Sequence, residues 1–341
     1  MKVVEVKGKE SVSKILIGES LDLLKSYTEG KRLFIITDRN VERLYKDHLP
    51  MANVYIVEPG EKSKSLQTAA EIYRWLLAND ADRSSFVVGV GGGVVSDIAG
   101  FVASTFMRGV DFGFVATTLL AQVDASVGGK NGVDLDGYKN IIGTFNQPKF
   151  VICDISMLET LPAHEFSNGM AEVVKHALIA DRNKFDFIEK NIEGILALNR
   201  KMVEYLVTRS VEIKASVVEA DEREKGLRRV LNLGHTWGHA VEKLTGLPHG
   251  QSVSIGLAFS ANFSVQRELM SAQERDRLLK LLTNLGLPVK ANVNPSEVFE
   301  VLQKDKKREN DFVHFILMKG IGSVVVEEIL FKELLNFIQI I

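Results

Sequence analysis

Five short apolar runs in the first half of the sequence constrain this chain more than any other feature. RLFIITD (32–38), VYIVEP (54–59), FVVGVGG (86–92), FGFVATT (112–118) and KFVICD (149–154) are rich in Val, Ile and Phe, with little polar alternation. Such runs are strands covered on both faces, because a strand with one wet face alternates instead. Helical patterns such as 65–79 lie between several of them, which predicts a mostly parallel sheet with helices on both sides. The opening MKVVEVKGKES alternates like a strand and lacks the apolar core of a signal peptide.

From about Leu158 the period changes. Residues 165–180, 201–225, 236–245, 252–270 and 272–285 repeat their apolar positions at helical spacing, with caps and Gly or Pro breaks. FVHFILM (312–318) and SVVVEE (323–328) predict a small hairpin, followed by a last helix from Phe331. A chain of 341 residues is long enough for two full cores. The expectation is an α/β, Rossmann-like nucleotide-binding domain at 1–157 and a mainly α-helical metal- and substrate-binding domain at 158–341, with the active site in the cleft between them.

Charge narrows the partners. Lys+Arg number 42 against 44 Asp+Glu, a net of −2, so no global field draws nucleic acid or an acidic membrane. The most apolar stretch, 86–103, is broken by glycines and Asp97, and no membrane span is expected. The single cysteine, Cys153, allows no disulfide within the chain and fits a reducing, cytoplasmic setting.

Within the first half, GVGGGVVSDIAGF (89–101) follows an apolar strand and opens a helix. Glycines there let backbone N–H groups approach a pyrophosphate, which a helix N-terminus favours. The usual dinucleotide fingerprint is not met, since Gly91-Gly92-Gly93-Val94-Val95 is followed by Ser96. Asp97 reads either as a carboxylate compensating the helix dipole or as a ligand contact. Asp38 and Asn40, at a strand end and a helix start, suit ribose hydroxyls and equally an ordinary cap. PGEKSKS (59–65) offers Glu61 and Lys64 to a nucleotide, or to solvent. In TTLLAQVDASVGGKNG (117–132), Asp124 has an apolar setting and a glycine turn delivers Lys130 beside it. With Lys139, Asn140 and Arg108 (in FMRG), these cations suit phosphate or carboxylate.

In the second half, three of the seven histidines, His235, His239 and His249, fall within GLRRVLNLGHTWGHAVEKLTGLPHG (226–250). His235 and His239 are spaced i, i+4 and share one face of a helix, so two imidazoles, a third and a carboxylate suit a divalent cation. Three unrelated histidines explain the spacing as simply. Along 165–180, Glu165, Asn168, Glu172, Lys175 and His176 form one polar stripe, ordinarily a wet face, in which Glu172 is the candidate fourth ligand. Lys214 stands among apolar residues on its helix, as a lysine that snorkels or one that points into a cleft.

Taken together, PGEKSKS, GGGVVSD, FMRG, TTLLAQVDASVGGKNG, KNIIGTFNQP, LETLP, NGMAEVVKHALI, DEREKGLRRVLNLGHTWGHAVE, PHGQSV and DKK resemble the 3-dehydroquinate synthases of the sugar-phosphate cyclase superfamily, in order and spacing along nearly the whole chain. The resemblance implies that Glu172, His235 and His249 hold a divalent metal, Zn2+ or Co2+, and moves His239 to the substrate. It implies an NAD site lined by Asp38, Asn40, Glu61, Lys64, Gly92, Gly93, Val94, Asp97, Thr117, Thr118, Lys139 and Thr160. It places Asp124, Lys130, Asn140, Lys175, Lys214, Arg228, Asn232, His239 and Lys306 around the substrate, with Lys307 an alternative to Lys306. Arg108 is implied near the phosphate, of its own subunit or of the partner in a homodimer. Ser96 stands where many members have glycine.

The implied substrate is 3-deoxy-D-arabino-heptulosonate 7-phosphate. The implied chemistry is transient oxidation by NAD+, elimination of phosphate, return of the hydride, ring opening and an intramolecular aldol closure. Two other enzyme readings share features of this sequence: cyclases acting on other sugar phosphates, and metal-dependent polyol dehydrogenases of the glycerol type. A nucleotide- or metal-binding regulator derived from the enzyme is a third, and no expected metal ligand or Lys130 or Lys175 is missing to favour it.

Overall fold

The computed structural model describes residues 2–8, 11–306 and 311–339, with backbone alone for 304–306. The chain divides into two compact units. The first comprises Met1–Pro162 with Arg200–Arg223, and the second Ala163–Asn199 with Glu224–Ile341.

The first unit is built on a seven-stranded sheet. Its strands are β1 (Lys2–Lys7), β2 (Val12–Ile17), β3 (Leu33–Asp38), β4 (Asn53–Val57), β5 (Phe86–Gly91), β6 (Asp111–Ala116) and, after the separate hairpin β7 (Lys130–Leu135) and β8 (Tyr138–Phe145), β9 (Phe150–Cys153). The order is β1-β2-β9-β6-β5-β3-β4. Only β1 runs antiparallel, to β2, and every other neighbour is parallel. All five apolar runs are strands of this sheet, and β5 and β9 are buried along their whole length. Phe34, Val88, Val115 and Ile152 lie at 0% exposure in its centre.

Chain order fixes where a ligand belongs in such a sheet. From β3 the chain adds β4 on one side and β5 on the other, so the switch point lies between β3 and β5. Ligands of open α/β sheets sit beyond the carboxyl ends of the strands at that point. Asp38 ends β3 there, and Gly92 follows β5.

The Arg200–Ala220 helix belongs to the first unit, although the sequence reading placed the domain boundary at 157/158. It lies on the β1–β2 edge, burying Val203, Leu206, Val207 and Val211. Lys2 pairs with Glu212, and the Lys7 N–H donates to Glu219 Oε1 at 2.9 Å. The helix also stops five residues before the expected 225, in a turn where Glu224 has φ +56°.

The second unit is mainly helical, as expected. Its long helices are Ala163–Ala180, His235–Thr245, His249–Gln266 and Ala272–Asn284, and Pro295–Lys306 and the small Arg182–Lys190 helix were not anticipated. Strands β10 (Phe312–Met318) and β11 (Val324–Leu330) form the expected hairpin, and Phe331–Ile338 is the closing helix. An aromatic core holds them: Trp237 stacks on Phe259 at 3.9 Å, and Phe263 on Phe337 at 4.6 Å. Among the described residues, no helix is long and apolar enough to cross a membrane.

Candidate active site

At the switch point the Gly93–Thr105 helix begins without a side-chain cap, whereas its neighbours are capped by Asp38 and Ser65. Uncapped amides at a helix N-terminus are an anion site. The backbone is bare there because a Cβ at Gly92 would stand 3.0 Å from Thr118 Cγ2, and one at Gly93 3.1 Å from Ala125 Cβ. Val94 follows, half-buried. Ser96 keeps the turn regular, its hydroxyl donating back to Gly92 O at 3.2 Å.

Asp97, in the same helix, meets Lys64 Nζ at 2.5 Å. Glu61 lies 3.8 Å from Lys64 and 3.6 Å from Lys139. Residues from the 59–65 loop, the glycine-turn helix and β8 thus form one charged group. Lys64 is 5% exposed, so burial opposes its charge, yet Asp97 and Glu61 hold its pKa above the usual lysine value. Burial raises the Asp97 carboxyl, with Lys64 pulling it back.

Asp38 Oδ1 accepts the N–H groups of Asn40 and Val41, at 2.8 and 3.1 Å, so the cap reading of this pair holds in the structure. The Thr117 N–H donates to Gly91 O at 3.0 Å, and Thr118 Oγ1 accepts the Ala121 N–H. Thr160 pairs with Tyr45 at 2.6 Å.

After Thr118 the chain makes a single π turn over Ala121–Ala125, closed by the Ser126 N–H on Ala121 O. Such turns are rare and are found mostly at functional sites. This one aims both the carbonyl and the carboxylate of Asp124 at one ammonium: Lys214 Nζ donates to them at 2.6 and 2.7 Å. Lys214 is 7% exposed, so it neither snorkels nor floats. Lys130 and Asn140 lie on the β7–β8 hairpin, exposed. Arg108 is exposed too, and it and Met107 both have positive φ, 71° and 50°, a costly pair for non-glycine residues.

In the second unit the polar stripe of the Ala163–Ala180 helix is not wet. Asn168, Glu172, Lys175 and His176 are all buried, Glu172 at 0%. Glycine contacts explain how the metal candidates converge. A Cβ at Gly250 would stand 2.0 Å from Asn168 O, and one at Gly256 1.8 Å from Gly234 O. Three helices therefore touch backbone to backbone, which brings Glu172, His235 and His249 to one point. Their ligand atoms lie within 4.8 Å of one another, and each Nε2 stands 3.5 Å from Glu172 Oε1.

The opposite ring nitrogens are occupied. His235 Nδ1 lies 3.1 Å from Leu233 O, and His249 Nδ1 3.4 Å from Glu242 Oε2. A proton on each Nδ1 leaves both Nε2 lone pairs facing Glu172, as a metal requires. Burial, and then Lys175, hold His235 well below the usual imidazole pKa, keeping it neutral. For His249 burial also opposes charge, but Glu172 and Glu242 outweigh it and raise the pKa to about 9, so a metal must displace the Nε2 proton to use that lone pair. One carboxylate and two imidazoles fit Zn2+ or Co2+.

Lys175 pairs with Glu172 one turn along the helix. Arg228 is 2% exposed, and Asn232 Nδ2 donates to Glu224 Oε1 at 2.6 Å. His239 is exposed, its ring 5.1 Å from that of His235. A second group, His239, Glu242 and His249, also has ligand atoms within 4.8 Å of one another, and there Glu242 stands on the Nδ1 side of His249. The Lys306 side chain and the whole of Lys307 lie outside the described residues. Glu224 and Glu242 were missed by the sequence reading. Glu242 carried a signal, standing three residues after His239 and so on the same helix face.

Comparisons agree along the chain. A family described as 3-dehydroquinate synthase N-terminal matches residues 54–168, and one described as 3-dehydroquinate synthase C-terminal matches 169–308. The 3-dehydroquinate synthase of Ruminiclostridium cellulolyticum is 41% identical over 310 residues, 88% of this chain and 86% of that protein. Among solved structures, the 2-epi-5-epi-valiolone synthase of Streptomyces hygroscopicus subsp. jinggangensis, with NAD+ and Zn2+ bound, superposes with a TM-score of 0.89 at 26% identity, over 98% of each chain. A 2-deoxy-scyllo-inosose synthase complexed with carbaglucose-6-phosphate, NAD+ and Co2+ has a TM-score of 0.86 at 26% identity, over 99% of each chain.

Proposed function

The chain belongs to the 3-dehydroquinate synthase family, and from that premise we propose that it converts 3-deoxy-D-arabino-heptulosonate 7-phosphate to 3-dehydroquinate and phosphate. The observation that carries the proposal is the buried Glu172 carboxylate facing both Nε2 atoms, with the Lys175 ammonium against it. Bound NAD+ supplies a hydride acceptor that is regenerated each turnover, and the divalent metal supplies Lewis acidity toward the hydroxyl being oxidised.

The remaining work falls to side chains of this chain. Glu61, Lys64, Asp97, Lys139 and the bare amides of Gly92 and Gly93 bind and orient the nucleotide, with Asp38, Asn40, Val94, Thr117, Thr118 and Thr160 around them. Lys214 and Arg228 pair with substrate anions, and their burial strengthens that pairing by excluding water. Asp124 fixes the Lys214 ammonium before substrate arrives, so little reorganisation is needed. Lys175 holds positive charge beside the metal ligands and steadies negative charge developing on substrate oxygen. Lys130, Asn140, Asn232, His239 and Lys306 complete the substrate contacts, and Arg108 those to phosphate. We extend the proposal to a homodimer in the cytoplasm, which the family resemblance and the single buried cysteine support.

The test is phosphate release from 3-deoxy-D-arabino-heptulosonate 7-phosphate by chelator-stripped protein, with NAD+ and Zn2+ or Co2+ added separately and together. Release that needs both, without net NADH, is the expected result. NADH accumulating with simple polyols would move the chain to the dehydrogenase reading. Turnover only of other sugar phosphates would move it to the cyclases that make other products.

A further inference from the structure

The β7–β8 hairpin contains an irregularity that its own turn does not need. Val133 pairs with Ile142 and Leu135 with Tyr138, so between these pairs one residue, Asp134, stands opposite three: Lys139, Asn140 and Ile141. The tip is already closed by Asp136 and Gly137, at φ 50° and 79°, the left-handed pair of a tight Asp-Gly hairpin turn. A regular ladder running on from that turn would serve the hairpin alone. Bulges instead tend to occur where a side chain must be re-aimed beside an active site.

The bulge is held by Asp134 from both directions. Its Oδ1 accepts the Asn140 N–H at 2.7 Å, a charge-assisted bond. Asn140 sits at φ +51°, a conformation that non-glycine residues keep only when their surroundings fix it. On its other side, the Asp134 N–H donates to Lys64 O at 2.9 Å, and Asp134 bridges Ser65 in parallel register. Lys139, next to Asn140, reaches Glu61 at 3.6 Å across the same joint. The loop that carries Glu61 and Lys64 and the bulge that carries Lys139 and Asn140 therefore meet at Asp134.

The geometry points to Asp134 as a positioning residue that locks the 139–141 bulge onto the 59–65 loop and so presents Asn140 to substrate and Lys139 to the nucleotide in one fixed conformation. It rests on the roles given to Asn140 and Lys139 above. Asp134 itself does not touch the reacting atoms. It acts through the backbone of Asn140.

The experiment compares Asp134→Ala and Asp134→Asn in the full-length, Zn2+-loaded protein, with NAD+ titrated in for affinity and saturating for exchange and turnover. Amide hydrogen exchange is followed over residues 136–145, together with NAD+ affinity by titration, and kcat and KM for phosphate release. In Asp134→Ala, exchange across the bulge is expected to rise about tenfold and kcat/KM to fall about tenfold to thirtyfold, mainly through KM. The melting temperature should hold within a few degrees, because the Asp-Gly turn still closes the hairpin. Asp134→Asn keeps an oxygen acceptor for the same N–H and should recover to within about threefold of the parent. Unchanged exchange in Asp134→Ala would overturn the proposal, and so would raised exchange with unaltered kcat/KM. Equal loss in both variants would overturn it too. Exchange and NAD+ titration need no sugar phosphate, so a wrong substrate assignment would leave those two readouts in place and is distinguishable from a wrong role for Asp134.

Discussion

Substituting Glu172 by Gln tests the centre of the site at the carboxylate both imidazoles face. The Glu172 and Lys175 side chains are 0% and 2% exposed, so this is an ion pair cut off from water. Removing the negative partner leaves the ammonium buried, at a cost of about 3–5 kcal/mol in the metal-free protein. Lys175→Met should cost less, because the remaining carboxylate still faces two imidazoles, one of which, His249, is raised to a pKa of about 9. The double variant should recover much of the loss, giving a coupling of about 2 kcal/mol or more, well above the ~0.5 kcal/mol scatter of independent sites. Trp237, 5% exposed and stacked on Phe259, reports unfolding of this unit in a Trp75→Phe background. Urea titrations of the four EDTA-treated proteins give the cycle. Additive effects, or a Glu172→Gln protein within about 1 kcal/mol of its parent, would refute a strongly coupled buried pair. Zn2+ should stabilise the parent and leave Glu172→Gln nearly unmoved, since a ligand raises stability only where it binds.

Three other perturbations follow from the same geometry. Gly256→Ala inserts a Cβ where Gly234 O stands at 1.8 Å, prising apart the helices that carry His235 and His249. It should cost about 1–3 kcal/mol and weaken Co2+ binding followed by visible absorbance, and an unaltered melt would contradict the contact. Lys214→Met removes both bonds to Asp124, at 2.6 and 2.7 Å. Phosphate release should fall about a hundredfold or more, the size of one lost preorganised donor, and activity within threefold of the parent would remove Lys214 from the substrate set. Glu274, 19% exposed, accepts from the Ile321 N–H, Ser271 and Arg182. Burial opposes its charge, but these donors outweigh it and hold its pKa below the usual value. A depressed folded pKa contributes stability above the unfolded pKa that is lost as pH falls through the folded one. Glu274→Gln should therefore cost about 1–2 kcal/mol at neutral pH, with the gap closing below about pH 4, and a pH-independent gap would rule out the ionised form as its source.

What the sequence made legible follows from which interactions are local. The strands of the first unit were plain because a sheet covered on both faces needs continuous apolar residues, and Phe86–Gly91 and Phe150–Cys153 have them. The β7–β8 hairpin was not anticipated, because a strand such as YKNIIGTF with most of its length exposed need not show a buried face. Lys139 and Asn140 were noticed for their chemistry, without the bulge that places them. The 165–180 stripe was legible as a stripe and not as a buried one. Helical periodicity says that Asn168, Glu172, Lys175 and His176 share a face, but what covers that face comes from Gly250 meeting Asn168 and from Gly256 meeting Gly234.

The same limit explains the histidines. The i, i+4 spacing of His235 and His239 is true of the helix, yet it does not select the ligand set, because a ring's second nitrogen decides which lone pair is offered. Leu233 O fixes His235, and Glu242 fixes His249 with Nε2 toward Glu172. His239, one turn on from His235, has a ring no farther from its neighbours than 5.9 Å and still falls outside this set. Proximity gathers three imidazoles, and hydrogen bonds at the far nitrogens separate the two that face the buried carboxylate from the one on the exposed side. Periodicity puts Glu242 on the His239 face of its helix, but its pairing with His249, seven residues on, joins a helix end to the start of the next helix and is not revealed by either alone.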